Sequence, residues 1–164
     1  MSASVVSINV SSGGVPKRPV LFAEISPLGV AGDRHAHPDL HGGPRQAVLL
    51  ITSEGIDELK IAGFPLYAGA LGENITTLGL DRRAFRLGQR YRLGEIIVEI
   101  TKVRRPCEQL TPYGEGIQKA IFDADVKAGN PASPLWGLTG FYAAVLQPGT
   151  LRPGDAITLL EEAD

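Results

Sequence analysis

The sequence has a single cysteine, a single tryptophan and three histidines among 164 residues. One cysteine excludes a disulfide within the chain and is typical of a reducing compartment. No apolar run approaches the ~20 residues of a membrane-spanning helix, and residues 1–14 lack the basic start and apolar stretch of a signal peptide. We therefore expect a cytoplasmic protein that does not act at a membrane.

An excess of charge of one sign is also absent. The chain carries 16 basic and 18 acidic side chains, and its formal net charge is −2. This balance does not attract nucleic acid or an anionic lipid surface, although it is compatible with a local basic pocket. We expect a small-molecule ligand and no nucleic-acid partner.

Glycine and proline, in contrast, are abundant, with 20 and 12 residues. The glycines follow no period, so they indicate many turns between short strands. Apolar, β-branched runs of strand length lie at 4–10, 19–25, 46–52, 94–103, 140–146 and 155–161. No linker divides the chain, so the sequence predicts one domain over residues 1–164. The fold class that it predicts is mainly β, a closed or nearly closed β-barrel with two or three peripheral helices.

Two segments have a helical pattern. Residues 52–64 contain Ser53 as a candidate N-cap and end at a glycine and a proline. Residues 114–130 place a stripe of apolar side chains on one face. These segments are the predicted peripheral helices.

All three histidines fall in the stretch GDRHAHPDLHGGPRQAVLL, as His35, His37 and His41. The pattern is similar to the His and Asp clusters of binuclear zinc hydrolases, but a two-metal site needs more histidines than the chain contains. The plain alternative is a solvated polar loop at a barrel rim. The following residues favour an anion over zinc, because a turn at Gly42 and Gly43 can expose backbone N–H groups while Arg45 binds a phosphate.

Two further stretches carry polar side chains suited to a ligand. In TKVRRPCEQL, Pro106 places Cys107 just beyond a strand, and Arg104 and Arg105 favour its thiolate form, which suits metal ligation or nucleophilic attack. A lone cysteine can also be a small buried apolar residue. Strand alternation predicts that only one of the two arginines faces the pocket. In GALGENITTLGL, the polar groups either bind a heteroaromatic ring or a phosphate, or cap a strand; they are Asn74, Thr76 and Thr77.

Taken together, these stretches resemble the MOSC domain, a module at the C-terminus of molybdenum cofactor sulfurases that also occurs as small stand-alone bacterial proteins. The resemblance runs nearly end to end, through GDRHAHPDLHGGPRQAVLL, LGENITTLGL, LGQRYRLGEIIVEITKVRRPCEQL and GFYAAVLQPGTLRPGDAITLLE. It implies a β-barrel that binds molybdenum cofactor, a pterin dithiolene carrying a phosphate. Ala144 stands where the family often has an arginine, which predicts weaker anion binding or compensation by another base.

The resemblance also implies a function and a site. The implied reaction is reduction of N-hydroxylated bases or amidoximes, with Cys107 as catalytic residue and molybdenum ligand, and with His41 shaping the pocket or relaying a proton. The residues implied to bind the cofactor are His35, Gly42, Gly43, Arg45, Asn74, Thr76, Thr77, Arg104 and Arg105. The pyridoxal phosphate of the sulfurases belongs to their other domain and is not expected here.

An alternative function remains open at this point. Cys107 could carry a persulfide, supplied by a cysteine desulfurase, and the chain would then be a sulfur carrier or cofactor-handling module and not itself a reductase. A reductase would instead need a separate electron-donor protein. The sequence leaves the oligomeric state open, a homodimer included.

Overall fold

The computed structural model describes residues 2–34 and 43–162. The strands in these ranges are β1 (Ala3–Val10), β2 (Arg18–Val20), β3 (Ala23–Ser26), β4 (Gly29–Val30), β5 (Val48–Thr52), β6 (Ile75–Leu78), β7 (Arg90–Leu93), β8 (Ile96–Val103), β9 (Phe141–Gln147), β10 (Gly149–Leu151) and β11 (Ala156–Glu161). The helices are α1 (Ser53–Ile61), α2 (Ile117–Ile121) and α3 (Ala124–Lys127), with 3₁₀ helices at Arg82–Ala84 and Glu108–Tyr113. None of these helices is long and apolar enough to cross a membrane.

Seven strands close into a barrel in the order β11-β7-β8-β9-β5-β6-β1, because β1 also pairs with β11. The neighbours are antiparallel except β5 and β6, which run parallel. β2 adds an eighth strand beside β1, and β10, β3 and β4 form a separate small sheet. The predicted fold class, a closed β-barrel with peripheral helices, is confirmed.

Two apolar clusters hold this architecture together. The barrel interior takes alternate side chains of β8, so that Ile96, Val98 and Ile100 are fully buried. Burial of each such side chain stabilises the fold by roughly 1.5–3 kcal/mol. A second cluster joins α1, α2 and the 3₁₀ helix Glu108–Tyr113, and Cys107 packs against it. This second cluster fixes the segment that follows β8, where the predicted site lies.

The first predicted helix is present, but its cap differs from the prediction by one residue. Thr52, with extended backbone, is the N-cap of α1, and its side chain accepts a hydrogen bond of 3.0 Å from Gly55 N. Ser53 is the first helical residue. The prediction of Ser53 as the cap is therefore wrong.

The second predicted helix, over residues 114–130, is wrong as a single helix. It consists of α2 and α3, which are separated at Phe122 and Asp123. Asp123 has extended backbone, and its carboxylate accepts hydrogen bonds of 2.8 Å from both Val126 N and Ser133 Oγ. Asp123 thus begins a new helix, because its side chain satisfies an N–H group that a continuous helix would have bonded internally.

The predicted strand over 19–25 is also wrong as one element. It is divided into β2, which pairs with β1, and β3, which pairs with β10 and β4. Leu21, between the two strands, is 89% exposed. The short strands β4, β6, β7 and β10 were not predicted as strands.

Candidate functional site

A cavity of about 50 Å³ brings together candidates from two of the three predicted stretches. Asn74, Arg104 and Cys107 line it, together with residues that include Lys17 and Tyr142. A buried water needs ~10–15 Å³ of such space. The cavity therefore has room for a few waters, or for the phosphate-sized end of a larger ligand.

Cys107 is positioned by its backbone. It is the N-cap of the 3₁₀ helix Glu108–Tyr113, and its carbonyl accepts hydrogen bonds from Leu110 N at 3.2 Å and Gln118 Nε2 at 3.1 Å. The side chain is half-buried, and it makes no capping hydrogen bond to the described backbone. The sulfur therefore remains available to a ligand in the cavity.

Arg104 and Arg105 have different surroundings. Arg104 N donates to Gly140 O at 3.1 Å, and its side chain is buried in the cavity wall, whereas Arg105 is exposed. Arg104 Nη1 donates to Thr139 O at 3.4 Å, but buried Arg104 Nε has no hydrogen-bond partner within the described ranges. A buried donor without an acceptor is costly. An anion in the cavity would supply that acceptor.

Asn74 has a structural role at the cavity. Its Oδ1 accepts from Leu49 N at 3.0 Å, and its Nδ2 donates to Asp33 Oδ2 at 2.8 Å. Asp33 Oδ1 in turn lies 2.6 Å from Lys17 Nζ. The amide that was predicted to hold a pterin thus fixes two chain segments and a buried ion pair.

Thr76 and Thr77 are buried in β6, away from the residues described as lining the cavity. Thr76 Oγ1 donates to Glu73 Oε2 at 2.9 Å and accepts from Asn9 Nδ2 at 3.2 Å. Thr77 lies opposite Thr52 in the parallel pair of strands. Burial raises the pKa of Glu73, while the Thr76 hydrogen bond and the Arg104 charge act to lower it.

Gly43 and Arg45 line a separate cleft of about 390 Å³, with Lys102 on its rim. The Arg45 guanidinium forms an ion pair with Glu99, since its Nη2 lies 3.1 Å from Glu99 Oε2. Burial tends to raise the pKa of Glu99, but hydrogen bonds from Arg90 and Arg45 hold it below its usual value. The structure therefore does not bring Gly43 or Arg45 to the Cys107 cavity, although Gln46 lines both spaces.

Ala144 lies in β9 directly opposite Glu99 in β8. Arg45 and Arg90 reach the Glu99 carboxylate at 3.1 and 3.0 Å. Both arginines are paired with carboxylates, since Arg90 also lies 3.7 Å from Glu161, so compensation for the absent arginine stays a prediction.

The remaining candidates, His35, His41 and Gly42, lie outside the described residues, and so does His37. Within residues 2–34 and 43–162, no three His, Cys, Asp or Glu side chains form a group that could hold a metal ion. The zinc hypothesis therefore stays a prediction about residues 35–41.

Sequence reasoning missed Lys17 and Tyr142 as cavity residues. Lys17 follows the turn-forming stretch SSGGVP, so a cation beside a glycine turn was the available signal. Tyr142 lies in an apolar strand and gives no such signal. Burial raises the pKa of Tyr142, with the Arg104 charge lowering it and Cys107 raising it further, so its phenol is neutral at ordinary pH.

Comparison of the sequence with known proteins matches this chain to one protein family and to individual relatives. The model of the MOSC domain matches residues 37–158. YflK of Bacillus subtilis, an uncharacterized protein, is 30% identical over 157 residues, which cover 92% of this chain and 65% of YflK. A protein of Gibberella moniliformis named reductase is 29% identical over 144 residues, covering 83% of this chain and 23% of that protein. The chain thus spans less than two-thirds of these relatives' own length.

Solved structures agree with the fold. The crystal structure of YiiM from Geobacillus stearothermophilus has a TM-score of 0.70 and 28% identity, over 97% of this chain and 75% of that protein. YiiM from Escherichia coli has a TM-score of 0.72 at 22% identity, over 100% of this chain and 72% of that protein, which supports the fold alone. The family match covers most of the barrel and includes Asn74, Arg104 and Cys107. The chain belongs to the MOSC domain family.

Proposed function

We propose that this MOSC domain binds molybdenum cofactor at the Cys107 cavity and reduces N-hydroxylated bases or amidoximes. The observation that carries the proposal is the buried Arg104 Nε, which lacks a partner in the described chain and lies in the same cavity wall as the Cys107 thiol. A buried cation suits a phosphate, and a soft sulfur suits molybdenum. MOSC domains are associated with molybdenum cofactor, and one relative of this chain is named a reductase.

Two residues of the cavity, Cys107 and Arg104, would bind different parts of the cofactor. Cys107 Sγ would ligate the metal, and the Arg104 guanidinium would bind an anionic group of the cofactor through charge-assisted hydrogen bonds. Lys17 forms an ion pair with Asp33 at 2.6 Å, whereas Arg104 forms no ion pair with a carboxylate of the described residues, so Arg104 is the stronger attractor of an anion. When bound, the cofactor supplies a two-electron redox centre.

Tyr142 and the rest of the cavity wall act on the substrate. The neutral Tyr142 hydroxyl is a group that can hydrogen-bond an N-hydroxylated base beside Cys107. The 50 Å³ of the cavity admit only a small polar group of the substrate or cofactor at one time. Under this proposal the electrons come from a separate electron-donor protein.

A sulfur carrier is the second candidate function. It is favoured by one observation, that Cys107 is a free cysteine and only half-buried, as a thiol that exchanges sulfur with a partner protein must be. In that case a cysteine desulfurase would load Cys107 with a persulfide, and metal would not be retained.

Metal content separates the two functions. The full chain is purified from a host that makes molybdenum cofactor, and molybdenum and zinc are measured by elemental analysis. We expect stoichiometric molybdenum and amidoxime reduction with a chemical reductant, and we expect both to be lost in Cys107→Ser, because a hydroxyl is a poorer ligand for a soft metal. Arg105→Ala, an exposed change two residues away, serves as the control and should retain both.

Two outcomes contradict the reductase proposal. A wild-type chain that carries sulfane sulfur on Cys107 and no molybdenum supports the carrier. Stoichiometric zinc that survives Cys107→Ser but is lost in His35→Ala supports a zinc site in the histidine-rich stretch.

A further inference from the structure

Glu73 and Arg104 form an incomplete pair of buried charges. Glu73 Oε1 and Arg104 Nε are both buried and both lack a hydrogen-bond partner in the part of the chain that the structure describes. The two groups are close, since the Arg104 charge acts on Glu73, and a Cβ added at the adjacent Gly72 would lie 3.8 Å from Arg104 Nη2. An acceptor and a donor that could satisfy each other are thus left unsatisfied beside a cavity.

The other groups around Glu73 do not replace Arg104 as its counter-charge. Thr76 donates one hydrogen bond to Oε2, and Asn9 Nδ2 donates to the Glu73 carbonyl at 3.1 Å. Tyr113 lies in the 3₁₀ helix, and burial, its hydrogen bond with Tyr67 and the Glu73 charge all raise its pKa, so it stays neutral. Across the cavity Lys17 is paired with Asp33. The charge on Arg104 is therefore balanced by Glu73 alone among these groups.

We infer that Glu73 is a positioning residue that couples anion binding at Arg104 to the uptake of one proton. While the cavity holds no anion, the Glu73 carboxylate is the negative charge that acts on the Arg104 guanidinium, although the two groups form no ion pair. An anion at Arg104 takes over that role and repels the carboxylate, which then accepts a proton from solvent. The inference rests on the proposed function in one respect, that Arg104 binds the anionic group of the ligand.

The physical basis is the low cost of protonating Glu73. A fully buried carboxylate is poorly solvated, so burial raises its pKa even without a second anion nearby. Hydrogen bonds from the backbone of Gly69 and Glu73 and from Thr76 lower the pKa of Glu73 more than the Arg104 charge does, and an added anion would offset that charge and add repulsion between like charges. Both effects favour the neutral carboxyl group, which can then donate a hydrogen bond to Thr76.

Sulfate is the probe for this coupling, because its charge is constant between pH 5 and pH 8. Sulfate binding to the full chain, made in a host without molybdenum cofactor so that Arg104 carries no cofactor, is measured by calorimetry across this range, in buffers of different ionisation enthalpy. We expect uptake of one proton per sulfate, and an affinity that falls by up to about tenfold per pH unit above the pKa of Glu73. Glu73→Gln should bind sulfate without proton uptake and with little dependence on pH.

Two controls separate Glu73 from other titrating groups. Glu108→Gln removes an exposed carboxylate next to Cys107 and should keep the proton uptake of the wild type. His37→Gln, which removes a histidine that is not among the implied site residues, should also keep it. Loss of the uptake in the histidine variant assigns the proton to histidine and overturns the inference, even if Glu73→Gln does not fold.

The inference is also overturned if sulfate does not bind, if wild-type binding takes up no proton, or if Glu73→Gln keeps the uptake. These results do not depend on molybdenum. If the chain from a host that makes molybdenum cofactor contains no molybdenum, the proposed function is contradicted. Proton uptake that is linked to Glu73 would still support the coupling inferred here.

Discussion

The ammonium group of Lys17 lies 2.6 Å from the carboxylate of Asp33, and their side chains are only 6% and 4% exposed. The same carboxylate accepts hydrogen bonds from Ser11 N at 2.9 Å and Asn74 Nδ2 at 2.8 Å. The Asp33 side chain thus links Ser11, which follows β1, to Lys17 in the cavity wall and to Asn74 just before β6. A buried ion pair with its remaining acceptor sites occupied is well satisfied, and removal of one partner would leave a charge buried without compensation.

Asp33→Asn is therefore expected to destabilise the protein by roughly 3–5 kcal/mol, because Lys17 remains buried without a counter-charge. The free energy of unfolding is measured by urea titration. Asp57→Asn, an equivalent change on the exposed face of α1, is the control and should shift it by less than about 0.5 kcal/mol. Equal effects of the two changes would show that the Lys17–Asp33 pair does not stabilise the fold.

The contrast between Arg104 and Arg105 gives a prediction about ligand retention. A charge-assisted hydrogen bond is worth ~1.5–3 kcal/mol, so Arg104→Ala should weaken cofactor retention by roughly ten- to a hundred-fold. Arg105 is exposed, and Arg105→Ala should change retention little. Rates of cofactor release from the two variants are compared with that of the wild type. Unchanged release from Arg104→Ala would remove this arginine from the binding site.

Gly69 and Gly63 give a matched test of the packing behind the cavity. Both have positive φ, at 91° and 106°, so alanine costs about 1–2 kcal/mol in backbone strain at either position. At Gly69 the new Cβ would also lie 2.1 Å from the Lys17 carbonyl oxygen, whereas at Gly63 it would meet nothing within 4 Å. The peptide backbone of Lys17 would have to move to relieve this clash.

We therefore expect Gly69→Ala to lower the free energy of unfolding by at least about 2 kcal/mol more than Gly63→Ala does. Urea titration of both variants measures the difference. Comparable losses would mean that the Lys17 segment shifts without cost, and that the lysine is not held rigidly in the cavity wall.

The features that were predictable from sequence are those that depend on neighbouring residues. An apolar, β-branched run at 94–103 predicted β8, and the inward side chains Ile96, Val98 and Ile100 of this strand are buried. Pro106 marked the end of that strand and placed Cys107 just beyond it. Local periodicity and proline geometry were sufficient for both, because neither depends on distant contacts.

The features that were not predictable depend on partners far away in the chain. Arg45 has the character of a phosphate ligand in sequence, but Glu99, 54 positions later, accepts its hydrogen bond. Asn74 has the character of a ligand-binding amide, but Asp33, 41 positions earlier, accepts from it. Lys17 reaches the cavity only because the turn at Gly69 packs on its backbone. A pattern among neighbouring residues cannot predict pairings between residues so far apart in the chain.

The pairing of β1 with β11, which closes the barrel, has a consequence for folding during synthesis of the chain. The register between β1 and β11 joins Ala3 to Ile157 and Ser4 to Ala156, so the first and last strands complete the ring together. Because the entropy of closing so long a loop opposes this contact until the other strands are in place, we expect ring closure to be a late event in folding. The cavity walls come from residues 14 to 142 and leave the ribosome before β11 does. A nascent chain therefore contains every described residue of the cavity wall before its barrel can close.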